Sequence, residues 1–184
     1  MSSQDTKEKI IKETVPSEGV SIIGSILAGL ILSLLILPFH SFLALILIVP
    51  ALLSLRGNIS GPFIARTSRD LVIGDFNTKN WIQNVLATFT LSILTALLIG
   101  ICSILLNITL FRLSILPLTY YLFIPLITIL ITLSISIPIS TGLNYIAFLR
   151  GLDPNNVVNP VMTAIDDFTT VLAFYLTLLL LGVP

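Results

Sequence analysis

The chain has 184 residues, 55% of them hydrophobic and only 10% charged, with nine Lys and Arg balanced by nine Asp and Glu. Soluble domains carry about 25% charged residues, so this composition excludes an ordinary water-soluble domain. The zero formal charge argues against a nucleic-acid partner, which needs a basic field to neutralise phosphates. A single cysteine, Cys102, permits no internal disulfide framework and reads as a small buried thiol inside a span.

The charges are clustered. None occurs between Glu18 and Arg56, where His40 is the only partial exception, between Lys79 and Arg112, between Arg112 and Arg150, or after Asp167. A hydrocarbon core about 30 Å thick takes about 20 apolar residues of helix, and these gaps supply that length several times over. The segments are too long and too uniformly apolar for barrel strands, and lipid leaves no backbone group unpaired. The predicted fold class is therefore all-α, a polytopic membrane protein with five transmembrane helices, at 20–37, 42–66, 82–108, 115–141 and 157–183.

Residues 1–18 read as a cytoplasmic N-terminal tail that ends as a short helix on the membrane, ahead of a five-helix domain over 19–184. A signal peptide is not expected, because the polar segment is long and no small-residue cleavage site follows the first span. His40 falls in an outer loop. In the second span, Pro50-Ala51-Leu52-Leu53-Ser54-Leu55-Arg56-Gly57-Asn58-Ile59-Ser60-Gly61-Pro62 collects helix-disfavouring residues, and Gly61-Pro62 is predicted to break or kink the helix. Breaks at membrane depth are tolerated against protein or a water-filled cavity and often mark substrate sites in transporters. A plain interfacial loop with snorkelling arginines is the competing reading.

Trp81 before the third span and Tyr120 and Tyr121 in the fourth read as interfacial anchors on opposite sides of the membrane. Pro117, Pro125 and Pro138 read as kinks accommodated by neighbouring helices. The segment 134–144, with Ser136, Ser140, Thr141, Gly142 and Asn144, either lines a cavity or allows close helix packing. With the N-terminus cytoplasmic, Lys7, Lys9, Lys12, Arg56, Arg66, Arg69, Lys79 and Arg150 fall on the inner side and only Arg112 on the outer. This positive-inside asymmetry places the protein in the cell membrane with its C-terminus outside.

The fifth span carries the chemistry. It opens on Asp153-Pro154-Asn155-Asn156 and continues through Asn159, Thr163, Asp166, Asp167 and Thr170, with no charge after Asp167. Taking Asn156 as zero and turning about 100° per residue, Asn159, Thr163, Asp166, Asp167 and Thr170 fall near 300°, 340°, 280°, 20° and 320°. All six share an arc of roughly 100°, a stripe that must face another helix or an aqueous path. A carboxylate at bilayer depth costs roughly 2.5–3.5 kcal/mol on insertion scales, so it normally faces protein, water or a cation. Carboxylate, amide and hydroxyl oxygens suit Mg²⁺, with Mn²⁺ or Ca²⁺ possible, and Mg²⁺ is commonly held by one or two carboxylates while it retains several waters. A proton relay uses the same acidic pair equally well.

These residues resemble the membrane domain of MgtE-type magnesium channels and their solute-carrier relatives in animals. The resemblance is carried by Pro50 to Asn58 and by Asp153-Pro154-Asn155-Asn156-Val157 with Thr163 and Asp167, and the five-span length matches one copy of that domain. It implies that Asp167 binds a hydrated Mg²⁺ in a pore whose second helix contributes Gly57 and Asn58. The expected metal-site residues are Asp167, Asp166, Asn159 and Thr163, and the expected pore-lining residues are Gly57, Asn58, Asn156 and Thr170. Bacterial members of the family carry a large cytosolic sensor that the tail 1–18 cannot hold, and animal relatives carry two such units. This single unit is therefore expected to act as a homodimer or to pair with a second half-length unit. Asp166 is extra to the pattern, where relatives often have a small residue. The expected function is a divalent cation channel or transporter and not an enzyme. A Mg²⁺-dependent lipid-phosphate enzyme built on Asp153, Asp166 and Asp167 and a non-transporting assembly subunit are the alternatives.

Overall fold

The computed structural model describes residues 6–36, 45, 48–111 and 116–183. Helix α1 covers Lys7–Ile36, α2 Ile48–Ile73, α3 Thr78–Leu106 with a π-helical turn at Asn107–Phe111, α4 Leu118–Leu149 and α5 Pro154–Leu180. All five are long and apolar enough to cross a membrane. Their number and order are those expected from the charge gaps, and the described residues contain no strand. His40 and Arg112 lie outside the described residues.

Short, well-capped turns join the helices at the end of the bundle where α1, α3 and α5 begin. After α2, Gly74 adopts φ 76°, a conformation open to glycine, and Asp75 N–H returns to the Asp70 carbonyl at 2.8 Å. Asn77 then caps α3 by accepting the Asn80 N–H at 3.0 Å. The same device recurs after α4, where Gly151 takes φ 68° and Leu152 N–H bonds the Ala147 carbonyl at 3.1 Å. Asp153 follows as the cap of α5, its carboxylate accepting the Asn155 N–H at 2.9 Å, with Pro154 in the first turn.

Helix α5 is the centre of the bundle and packs against α1, α4 and α2, while α3 lies against α4 and α2. The buried face of α3 consists of Asn84, Thr88, Ser92, Ala96, Gly100 and Ser103 at near four-residue spacing, and its large residues face outward. Small residues let backbones approach, the usual basis of helix association in lipid. A Cβ on Gly100 would come within 2.6 Å of the Tyr121 carbonyl, and one on Gly24 within 2.3 Å of Ala164 Cβ. The first fixes α3 on α4, the second α1 on α5.

Four sequence expectations change. The N-terminal segment from Lys7 is continuous with the first span. Pro16 interrupts the hydrogen-bond ladder of α1, but the Ser17 hydroxyl donates to the Glu13 and Thr14 carbonyls at 2.9 Å and lies 3.0 Å from the Asn156 carbonyl of α5. The break at Gly61-Pro62 is absent. Residues Ile48–Ile73 form one helix with Pro62 inside it, exposed, where proline takes the bond to the Asn58 carbonyl out of the ladder without ending the helix. Cys102 is exposed rather than buried, because α3 turns its small polar face inward. Tyr121 is 1% exposed and accepts a hydrogen bond from Asn107, so it is a core residue and not an interfacial anchor.

Candidate cation site

Where α2 and α5 cross, Leu53, Arg56, Gly57 and Ser60 of α2 meet Asn159, Met162, Thr163, Asp166 and Asp167 of α5 around a cavity of about 50 Å³. Five of the eight residues expected from sequence line it: Gly57, Asn159, Thr163, Asp166 and Asp167. The other three lie elsewhere. Asn156 donates to the Glu13 carboxylate of α1 at 3.1 Å, Asn58 is exposed on α2, and Thr170 is buried with a hydroxyl that has no partner among the described residues.

The two adjacent carboxylates have different surroundings. Asp166 is 3% exposed. Its Oδ1 lies 2.5 Å from Arg56 Nη2 and accepts the Ser136 hydroxyl at 2.5 Å, and its Oδ2 accepts the Ser60 hydroxyl at 2.6 Å. Ser136 also accepts from Arg56 Nη2 at 2.6 Å, closing a network across α2, α4 and α5. Arg56 is itself 1% exposed, and its Nε and Nη1 find no acceptor among the described residues. The pair is thus neutral overall, desolvated and held by hydroxyls.

Asp167 is half-buried and looks toward α1, where Ser25 donates its hydroxyl to Oδ2 at 2.6 Å. It has no cationic partner among the described residues. In α5, Pro154–Leu180, it sits thirteen residues from either end, and at 1.5 Å per residue that is about 20 Å from each. A carboxylate without a countercharge therefore lies at the middle of a membrane-length helix. Beside it Asn159 and Thr163 are exposed, the Thr163 hydroxyl donating to the Asn159 carbonyl at 3.0 Å. Gly61 faces Asn159, whose Oδ1 would be in ordinary contact, at 3.6 Å, with a Cβ there.

The cavity-lining residues, from Leu53 to Asp167, lie wholly within a match to a family model described as "MgtE: Divalent cation transporter", which covers residues 49–177. The chain belongs to the MgtE family. No curated protein and no solved structure matches it. The family match runs from the start of α2 to the last turn of α5, so α1, with Ser25, precedes it.

Sequence reasoning missed the partners of the carboxylates. Arg56 was visible as a charge inside an apolar span, and Ser136 as one hydroxyl in a polar stretch, but neither spacing pointed to Asp166. Ser25 and Ser60 carried no signal, since isolated serines are common in membrane helices. The acidic set invoked for a lipid-phosphate enzyme does not converge: Asp153 caps α5, thirteen residues before Asp166, or about 20 Å of helix.

Proposed function

We propose that the chain conducts a divalent cation, Mg²⁺ in preference to Mn²⁺ or Ca²⁺, along the α2–α5 seam, with Asp167 as the charged ligand. The observation that carries this reading is the mid-span carboxylate of Asp167, which no cation of the described chain neutralises. A permeating dication supplies that charge. Mg²⁺ fits best because it gives up water reluctantly and is commonly held through few carboxylates, and Asn159 and Thr163 offer oxygens to its water shell.

The active unit is a dimer in this reading. Gly57, Asn159 and Thr163 are exposed around one cavity at depths where lipid would otherwise meet amide and hydroxyl groups. A second copy across this face encloses the ion and brings a second Asp167. Asp166, already ion-paired, supports the site from behind. The N-terminus faces the cytoplasm in this reading, which the excess of Lys and Arg outside the spans supports; Arg56, paired with Asp166 inside the bundle, does not count towards it.

The deciding measurement is Mg²⁺ uptake into proteoliposomes by Asp167→Asn. Uptake is expected to fall by more than about tenfold, the equivalent of at least 1.4 kcal/mol of lost ion stabilisation, with an unchanged elution profile in detergent. Undiminished uptake would remove Asp167 from the site. For the dimer, Thr163→Cys or Asn159→Cys in a Cys102→Ser background should crosslink between chains under mild oxidation. A monomer in nanodiscs without such a crosslink would exclude the dimeric pore.

A further inference from the structure

A second depression lies well away from the carboxylates, at the end of the bundle where α1 and α5 begin and α4 stops. It is a groove of about 580 Å³ between α1 and α5, walled by Pro16 and Val20 on one side and Val157 and Val161 on the other, with Lys9 and Lys12 also lining it. A smaller depression beside it shares Val157 and Val161 and is lined by Arg150. The groove is apolar along its length and cationic at one end.

The charges there are unevenly used. Among the described residues Glu13 is the only acid lining the groove, and it is occupied: its carboxylate is 3.7 Å from Lys9 Nζ and accepts the Asp153 N–H at 3.3 Å and the Asn156 amide at 3.1 Å. Nearby Asp153 is engaged as the cap of α5. Lys9 also reaches the Gly151 carbonyl at 3.3 Å. Lys12 and Arg150 are exposed, and their side chains make no ion pair or hydrogen bond with the described residues. Two lysines and one engaged carboxylate line the groove itself, so its lining carries a net positive charge; Arg150 lines the depression beside it, and Glu8, exposed one turn before Lys12, does not line it.

We propose that this groove binds one anionic phospholipid, its phosphate at Lys9 and Lys12 and an acyl chain along the Pro16, Val20, Val157 and Val161 walls. The two halves of the site require a ligand with the same two halves. Free phosphate satisfies the lysines and leaves the apolar walls uncovered, whereas a zwitterionic lipid covers the walls but carries a second, cationic group to a cationic rim. Basic residues at headgroup depth select anionic lipids for this reason. The contacts that form the groove, Glu13 to Asn156 and Ser17 to Asn156, also hold α1 on α5, so a lipid seated there stabilises the folded chain by mass action.

The test is the apparent melting temperature of the purified chain in nonionic detergent with a chelator, titrated separately with phosphatidylglycerol, phosphatidylcholine and inorganic phosphate. Phosphatidylglycerol is expected to raise it saturably by several degrees, and the other two to give no saturable rise. In Lys9→Gln/Lys12→Gln the response to phosphatidylglycerol should fall to that of phosphatidylcholine. Lys12→Gln alone, an exposed change that removes no contact, should shift the midpoint of the titration to higher lipid even if the double variant fails to fold. Equal responses to the two lipids would mean bulk solvation only, and a response to phosphate alone would mean a free-anion site. Either result, or an unshifted midpoint in Lys12→Gln, overturns the proposal.

Discussion

Asp166 faces α2 and α4, and Asp167, one residue and about 100° further around α5, faces α1. The first is enclosed by Arg56, Ser60 and Ser136, and the second has a single serine and an opening toward Asn159 and Thr163. Two identical side chains at the same membrane depth thus divide the work. Asp166 binds three helices together, and its charge is already cancelled. Asp167 has no cationic partner among the described residues, and in the proposed function it is the member left to meet an ion. A cation site at mid-membrane needs both, because a free carboxylate is useful only if the helices that hold it do not move to bury it.

The largest effect should come from breaking the buried pair. Arg56→Gln leaves Asp166 desolvated without its countercharge, and loss of one partner of a buried pair costs about 3–5 kcal/mol. We expect a marked fall in melting temperature and poor recovery from the membrane. Arg56→Met/Asp166→Leu, which removes both charges, should regain much of that loss, since apolar replacement of a buried pair is often near neutral. Equal stability of Arg56→Gln and the parent chain would show that the network does not organise the bundle.

That contrast also marks how far the sequence could be read. The five spans were legible because lipid imposes one requirement on every residue of a helix, and the charge gaps report it directly. The polar stripe of α5 was legible for the same reason, as periodicity survives without knowledge of neighbours. Which neighbour each member meets was not legible. Asn156 and Asn159 lie on one predicted arc, yet Asn156 is bound to Glu13 and Asn159 lines the cavity. The arc spans about 100°, wide enough for α1, α2 and α4 to divide it among them. The unbroken α2 teaches a related point: proline removes one backbone bond, and the helix continues through it.

A smaller effect is expected on the Asp167 side of the comparison. α1 is anchored at Gly24, where an added Cβ would lie 2.3 Å from that of Ala164. Gly24→Leu should force α1 away from α5 at a cost of about 1–3 kcal/mol, in the range of overpacked sites, and leave the Arg56 network intact. Gly29→Leu is the control, since a Cβ there meets nothing within 4 Å. Melting temperatures that fall equally in both variants would show that α1 responds to helix composition and not to contact with α5.

The smallest effect separates positioning from charge at Asp167 itself. Ser25→Ala deletes one hydrogen bond to a half-buried carboxylate, a contact between charged and neutral partners that is worth about 1.5–3 kcal/mol when fully buried and less here. Stability should drop by about 1 kcal/mol or less. The informative readout is Mg²⁺ affinity. The hydroxyl occupies Oδ2 and leaves Oδ1 without a hydrogen bond among the described residues, so it holds the carboxylate in place without closing it to a hydrated ion. Affinity should therefore weaken by a few-fold in Ser25→Ala and be retained in Ser25→Thr, which keeps the donor. Tighter binding in Ser25→Ala would reverse the assignment: the hydroxyl would then compete with the ion, and α1 would act as a brake on Asp167.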